Sequence, residues 1–277
     1  MAIRLGCNTL YPFGRLNDVR EQFDLVAQKR ALRTIRDTGF DGCEFSHYEC
    51  LTRLECETLR QECERIGLTP WSAHSWVALP ASRDGVDERL QVLHASVADA
   101  AALGAQVMVI HAARPGADGD SAALVREREE TLRTVLTEMA GSPSGSSLRI
   151  AVENCGDRAE VAFLAEVISS LSLANVGMNI DTGHAVLHGM APAETIRMMG
   201  KLLFTTHFQD NHNEGKDEHL PPGQGTIDWD GTISALDEVG YQGMWMVEIS
   251  DCPPGREPDA AADTAAAYRF LAGKAGR

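Results

Sequence analysis

The feature that most restricts the fold of this chain is a regular alternation of short apolar segments with helical patterns. Most of the apolar segments are continuous rather than alternating, which is typical of parallel strands covered on both faces. The predicted strands are IRLGCNT (3–9), GCEFSH (42–47), TPWSAHS (69–75), QVMVIHA (106–112), RIAVENC (149–155), VGMNIDT (176–182), LLFTTHFQD (202–210) and GMWMVEIS (243–250).

Helical patterns lie between these strands and predict a barrel. The predicted helices cover residues 17–38, 52–66, 84–103, 119–140, 158–170, 191–200, 230–239 and 258–272. Several end on a glycine that returns the chain to the sheet, namely Gly39, Gly67, Gly104 and Gly240. Eight β/α units in roughly 250 residues predict the α/β fold class, as one (β/α)8 TIM-barrel domain over residues 1–277.

An open, doubly wound sheet is the alternative architecture. Such sheets usually carry a glycine-rich phosphate-binding turn after the first strand. The corresponding segment here reads CNTLYPFGRL and lacks that pattern. The sequence therefore favours the closed barrel.

Composition restricts the partners of the chain. It has 25 Lys and Arg against 40 Asp and Glu, a formal net charge of −15. Such a surface repels nucleic-acid phosphates and anionic lipid, so we expect neither nucleic acid nor membrane as a partner. The start MAIRLGCNT lacks signal-peptide features, which predicts a cytoplasmic protein, and the seven cysteines are expected to be reduced.

Acidic and imidazole side chains end the strands from the third onwards. Because the C-terminal ends of barrel strands converge at one mouth, these residues should meet there. They are His74, His111, Glu153, Asp181, His184, His207 and Glu248. A lone histidine in such a place is commonly structural. Three buried carboxylates, however, would repel one another without a cation, and the set therefore predicts a divalent-metal site.

The segment after the seventh strand, HFQDNHNEGKDEHLPPGQGTIDW (207–229), is rich in the same residue types. If it is extended, Asp217 and His219 project from alternate positions onto one face, towards the barrel mouth. Asp210 and Asn211 are predicted to orient His207 through hydrogen bonds.

These residues resemble the xylose isomerase-like barrel superfamily, which includes sugar phosphate isomerases, epimerases and type IV apurinic endonucleases. The resemblance spans essentially the whole chain. It rests on GFDGCEF in strand two, AVEN in strand five, NIDTGH in strand six, THFQDN…DEHLPPGQGTIDW at strand seven, and VEIS in strand eight.

The resemblance implies a metal-binding quartet of Glu153, Asp181, His207 and Glu248. It also implies that Glu153 and Glu248 are the catalytic acid and base. Independently of the family, a divalent ion beside a carbonyl acidifies the neighbouring C–H, and a carboxylate can then remove and return its proton.

The related three-metal phosphodiesterases add five ligands to this quartet. The corresponding residues here are His74, His111, His184, Asp217 and His219. One divalent ion (Mn²⁺, Zn²⁺, Co²⁺ or Mg²⁺) is expected, and up to three are compatible with this set.

Two departures from the family pattern narrow the range of expected substrates. Ketohexose epimerases carry a glutamate where this chain has Ala159 and an arginine where it has Asn213, which argues against a simple ketohexose 3-epimerase. The acidic chain likewise lacks the basic loops of a DNA endonuclease.

The leading hypothesis is a metal-dependent isomerase, epimerase or related dehydratase that acts through an enediolate on a small keto-sugar, cyclitol or sugar phosphate. The alternatives are a multinuclear hydrolase of phosphoester or glycoside-like bonds and a non-catalytic metal- or sugar-binding barrel. Self-association is a family-level expectation. Candidate substrate contacts are Glu44, Trp76, His184, Arg114, Lys216 and Arg256.

Overall fold

The computed structural model describes residues 2–9, 24–114, 121–250 and 259–277. Each predicted strand is present, and every strand pairs in parallel with its neighbours. The strands are β1 (Leu5–Asn8), β2 (Gly42–Ser46), β3 (Thr69–His74), β4 (Val107–Ile110), β5 (Arg149–Glu153), β6 (Val176–Asp181), β7 (Leu203–His207) and β8 (Trp245–Val247).

The sheet closes into a barrel. Its strand order is β7-β6-β5-β4-β3-β2-β1-β8, and a parallel bridge between Phe208 and Val247 joins the two ends. The Phe208 amide donates to the Met246 carbonyl at 2.8 Å, and the Glu248 amide donates to the Phe208 carbonyl at 3.1 Å. The predicted (β/α)8 architecture is confirmed.

Helices surround the barrel. They are α1 (Leu25–Thr38), α2 (Arg53–Ile66), α3 (Val86–Ala102), α4 (Ala122–Gly141), α5 (Arg158–Leu171), α6 (Thr182–Leu187), α7 (Pro192–Met199), α8 (Trp229–Val239) and α9 (Ala260–Lys274). The first predicted helix is described from Leu25 onwards, and residues 17–23 of that prediction lie outside the described residues. Of the described helices, none joins sufficient length to sufficient apolar character for a transmembrane span.

The helix ends follow from local sequence. Thr52 caps α2 through a reciprocal capping box with Glu55. Gly39, Gly67 and Gly240 adopt left-handed conformations after α1, α2 and α8, as the glycine pattern predicts. Helix α6 was not predicted, because the NIDTGH segment continues the apolar strand and the helix is only 6 residues long.

The barrel interior is a small apolar cluster beneath the mouth. It is formed by Trp71, Val107, Val109, Ala151, Met244 and Met246. Since side chains alternate along a strand, residues two positions further on share the interior face. Met244 and Met246 are thus followed by Glu248, and Ala151 by Glu153. The interior strand faces lead directly into the predicted metal site.

Candidate metal centre

The predicted quartet forms one buried cluster at the C-terminal ends of the strands. Glu153, Asp181, His207 and Glu248 are each at most 1% exposed, and their ligand atoms all lie within 4.8 Å of one another. His207 Nδ1 lies 2.8 Å from Glu153 Oε2 and 3.0 Å from Glu248 Oε2. Residues separated by almost 100 positions are thereby brought to one point.

Two of these buried ligand atoms are not satisfied by hydrogen bonds within the described residues. His207 Nδ1 and Glu248 Oε2 are close to each other but not aligned as donor and acceptor. Buried polar atoms are normally hydrogen-bonded or bound to an ion. One imidazole and three carboxylates that point at one centre fit a divalent cation, both in ligand type and in number.

A second ligand group lies beside the quartet and shares Glu153 with it. It consists of His74, His111 and Glu153. His111 Nε2 is 3.1 Å from Glu153 Oε1 and 3.1 Å from His74 Nε2. The other nitrogen of His74 is 3.1 Å from Glu248 Oε1, so this histidine contacts both groups.

A third group consists of His184, Asp217 and His219. Asp217 Oδ2 lies 3.4 Å from His184 Nε2 and 3.1 Å from His219 Nε2. The prediction that Asp217 and His219 share an extended segment is wrong, because His219 has a φ of 48°, in the left-handed region. The two side chains nevertheless meet at the mouth.

Glu44 orients the histidine of the quartet. His207 Nε2 lies 2.9 Å from Glu44 Oε2, which also accepts a hydrogen bond from Ser72 Oγ at 2.7 Å. A carboxylate at Nε2 places the ring proton there and leaves Nδ1 free as a ligand atom. Glu44 is fully buried, so its predicted contact with substrate stays a prediction.

The prediction that Asp210 and Asn211 orient His207 is wrong, since the Asn211 side chain bonds to the backbone of Lys216 and Asn213. The Asp210 carboxylate instead accepts hydrogen bonds from Trp229 Nε1 and from the backbone amides of Gly223, Ile227 and Asn211, at 2.8–3.2 Å. Gly225 fits closely over it, and a Cβ there would collide with Asp210. Asp210 therefore fixes the loop that carries Asp217 and His219.

Positive charge stabilises the ionised carboxylates of the quartet, which burial and mutual repulsion destabilise. Burial raises the pKa of Asp181 to about 6, since the attraction of His184 does not offset burial and repulsion from Glu153 and Glu248. Burial opposes ionisation of Glu153 and Glu248 too, but His207 holds the pKa of each well below its usual value. Despite burial, those carboxylates raise the pKa of His207 well above its usual value.

Three polar residues of the site were missed in the sequence. Gln209 donates from Nε2 to both oxygens of Asp181 and accepts the His219 amide proton at 3.0 Å. Asn179 donates to Glu153 Oε2 at 2.8 Å. Cys155 Sγ lies 3.6 Å from His184 Nδ1. All three stand two positions from a predicted ligand in the sequence, a spacing that places them on the same face.

The remaining predicted substrate contacts are scattered. Trp76 is 47% exposed and packs edge-on against His47, with ring centroids 4.1 Å apart. Arg114 lies 3.9 Å from Glu160, and Lys216 is exposed on the loop after β7. Arg256 lies outside the described residues.

Comparison with known proteins places this site in context. The family described as xylose isomerase-like TIM barrel matches residues 32–272. The uncharacterized protein MJ1311 of Methanocaldococcus jannaschii is 26% identical over 238 residues, 79% of this chain and 78% of that protein. An inosose isomerase of Bacillus subtilis is 29% identical over 126 residues, 42% of this chain and 45% of that enzyme.

Solved structures share the fold. A D-psicose 3-epimerase, crystallised in the presence of D-fructose, superposes with a TM-score of 0.77 at 17% identity, over 99% of this chain and 100% of that one. The IOLI protein with a bound zinc atom gives 0.74 at 20% identity, over 99% and 98% of the chains. At these identities the likeness shows the fold alone.

Proposed function

The chain belongs to the xylose isomerase-like TIM barrel family, and from that premise we propose that it is a metal-dependent isomerase or epimerase of a small keto-sugar or cyclitol. One observation carries the proposal. Two fully buried glutamates, Glu153 and Glu248, lie within 3.0 Å of the same imidazole nitrogen of His207. Two carboxylates at one centre are the groups that a proton transfer between neighbouring carbons requires.

We assign Glu153, Asp181, His207 and Glu248 as the ligands of one divalent ion. Such an ion supplies positive charge beside the substrate oxygens, which stabilises negative charge that develops there during proton removal. Glu44 keeps His207 in the tautomer that can bind the ion.

Glu153 and Glu248 move the proton in this proposal. One carboxylate removes the proton from the carbon next to a carbonyl, which gives an enediolate, and a carboxylate returns it to a neighbouring carbon or to the other face. Burial opposes ionisation of both carboxyl groups, but in the ion-free protein His207 lowers the pKa of each, so both are ionised at neutral pH. In the proposed reaction the bound ion would supply this positive charge in place of the His207 proton. Loss of a neighbouring hydroxyl from the same enediolate would make the enzyme a dehydratase.

Similarity to proteins named for their substrates supports this substrate class. Inosose is a keto-cyclitol and D-psicose a ketohexose, and proteins named for both are similar to this chain. We propose that Trp76 forms a wall of the substrate site, since its exposed ring stands two positions after His74. The other proposed contacts for substrate oxygens are His184, Arg114, Lys216 and Arg256.

Deuterium exchange tests the proposed reaction. Ketoses and inososes would be incubated in heavy water with the manganese-loaded protein, and carbon-bound deuterium would be followed by NMR. We expect deuterium next to the carbonyl of at least one candidate. If none acquires deuterium while phosphoesters are cleaved, the isomerase proposal is wrong.

A multinuclear hydrolase is the second candidate, and the three adjoining ligand groups favour it. Hydrolysis would use His74, His111, His184, Asp217 and His219 as additional ligands. Elemental analysis of protein purified without chelator distinguishes the two candidates. About one ion per chain supports the isomerase, and about three ions together with phosphoester cleavage support the hydrolase.

We also propose that residues 1–277 form a single barrel domain. The helix nearest the C-terminus, α9, packs against α1 and β1 near the start of the chain. Tyr268 of α9 contacts Phe40 edge-on, with ring centroids 5.2 Å apart.

A further inference from the structure

A cavity, which we call the floor cavity, lies at the end of the barrel opposite the candidate metal centre. It has a volume of about 630 Å³, within the range of small-molecule sites. Its lining includes Arg4, which precedes β1, and Arg149, which begins β5. Glu153 ends the same strand, so the floor cavity and the metal centre are about 13 Å apart along the strand.

The floor cavity is cationic on an acidic protein. Arg4, Arg149 and Lys201 line it, and none of its described lining residues is acidic. Within the described part of the chain, no ion pair joins any of these three to a carboxylate. A chain with 40 acidic residues against 25 basic ones would readily supply a partner by chance. Three basic side chains without an acidic partner at one cavity therefore indicate a binding site for an anion.

Aromatic faces, rather than carboxylates, hold the two arginines in place. The guanidinium carbons of Arg4 and Arg149 each lie 5.2 Å from the centroid of Trp71, and that of Arg149 also lies 5.4 Å from Phe204. Trp71 is itself fixed by a hydrogen bond from Nε1 to Thr205 Oγ1, at 2.9 Å. An arginine stacked on a ring keeps its in-plane N–H donors available, whereas a carboxylate would occupy them.

Arg149 is also held at an electrostatic cost. Burial and the nearby Arg4 lower the pKa of its guanidinium, although Tyr241 acts in the opposite sense. A bound anion would relieve both the burial of this charge and the repulsion between the two arginines. Planar guanidinium groups match the oxygens of phosphate in geometry as well as in charge.

We propose that the floor cavity binds the phosphate group of a small molecule, through Arg4, Arg149 and Lys201. The volume of about 630 Å³ suits a single small ligand, and the net charge of −15 opposes a longer phosphate backbone. This proposal does not depend on the reaction at the metal centre.

Isothermal titration calorimetry on the full chain tests the proposal, with inorganic phosphate and glycerol 3-phosphate as probes. We expect saturable binding of at least one probe, and a preference for the ester would identify a phosphorylated metabolite rather than free phosphate as the ligand. Arg149→Gln and Arg4→Gln should each weaken binding at least tenfold, about the effect of losing one charge-assisted hydrogen bond. Arg4 is exposed, so its variant should fold even if Arg149→Gln is unstable.

Arg33→Gln is the matched control. It removes the same charge from α1, and its partner Glu62 keeps Arg65. We expect its phosphate affinity to stay within twofold of the unmodified protein. If the Arg4 and Arg149 variants also bind as the unmodified protein does, phosphate binds elsewhere and the proposal is wrong. Absence of saturable binding by either probe would also overturn it.

Gln106→Glu offers an independent check. Gln106 lines the cavity and is exposed, so a carboxylate there can pair with the arginines without disturbing the core. We expect this variant to lose phosphate binding while its melting temperature stays the same or rises. Unchanged phosphate binding would count against the cavity as the site.

Discussion

Glu153 is the residue on which the ligand groups converge. It belongs to the quartet, to the group with His74 and His111, and to a further group with Cys155 and His184. Its two oxygens contact His207 on one side and His111 on the other. A change here should therefore affect ion binding and proton transfer together.

We predict that Glu153→Gln lowers kcat by roughly 10²–10⁴-fold, the usual contribution of a general acid or base. The amide has nearly the same volume and still accepts the hydrogen bond from Asn179, so the fold should be retained. Circular dichroism would check the fold, and kcat would be measured at saturating metal on the substrate that the deuterium experiment identifies.

Glu64→Gln is the control for this variant, because it makes the same chemical change at an exposed site on α2. It should retain full activity. Full activity in Glu153→Gln would remove this residue from the catalytic machinery.

At the residue scale, the sequence predicts which side chains reach the mouth but not how they pair. The members of the quartet each end an apolar strand, and the C-terminal ends of barrel strands converge at one mouth. The contact between Glu44 and His207 was not predictable, because β2 and β7 face each other only through the curvature of the closed sheet.

At the element scale, the loop between β7 and α8 is a fixed structure rather than a flexible connection. Four N–H groups converge on the buried carboxylate of Asp210. Asp217 and His219 were predicted at the mouth, where they lie, but in an extended segment, which the loop is not. Its conformation depends on long-range hydrogen bonds and on left-handed residues, which a local pattern does not reveal.

We predict that Asp210→Ala destabilises the protein by about 2–5 kcal/mol, because buried donors lose a charged acceptor. It should also move Asp217 and His219 away from His184, while the quartet, held by the strands, keeps its ion. Urea denaturation would measure the free energy of unfolding, and elemental analysis would count the ions.

Asp228→Ala controls for a general loosening of the loop. Asp228 is exposed and caps α8 through the Gly231 amide, so its loss should cost only about 1 kcal/mol and leave the ion count unchanged. Equal losses of stability in the two variants, or loss of the quartet's ion in Asp210→Ala, would contradict the assigned role of Asp210.

At the scale of the whole molecule, the barrel is layered along its axis. A cationic floor with Arg149 is followed by an apolar interior around Met246, and then by the acidic and imidazole mouth. The sequence predicts the mouth, because acidic and imidazole residues end its apolar strands. The floor was not predicted, because Arg4 and Arg149 are single basic residues at the starts of two separate strands. They form a cationic cluster only because the barrel places both beside Trp71.

The charge balance of the mouth links ion binding to pH for the whole protein. In the ion-free protein, burial opposes protonation of His219, but Asp217 raises its pKa from 6.5 to about 9. A histidine whose pKa is raised on folding stabilises the folded state fully below pH 6.5, and this stabilisation is lost as the pH rises towards 9. The pKa values of His207 and His184 are raised as well, so they act in the same direction. Protons on these rings partly offset the negative charge of the buried carboxylates.

We therefore predict that the ion-free protein loses stability between pH 6.5 and about 9, whereas the metal-loaded protein does not. Ion binding must displace the second ring proton of His207, and its charge opposes protonation of the neighbouring His184 and His219. Affinity should therefore rise with pH, and protons should be released. At an ion concentration of about 100 times Kd, the stabilisation is roughly 2.7 kcal/mol, or an increase in Tm of about 5–10 °C. Calorimetric melts with manganese and with chelator, at both ends of the interval, would measure this difference. A gap in Tm that narrows as the pH rises would mean that the imidazoles are not metal ligands, since a ligand that must shed a proton can only bind its ion more tightly in base.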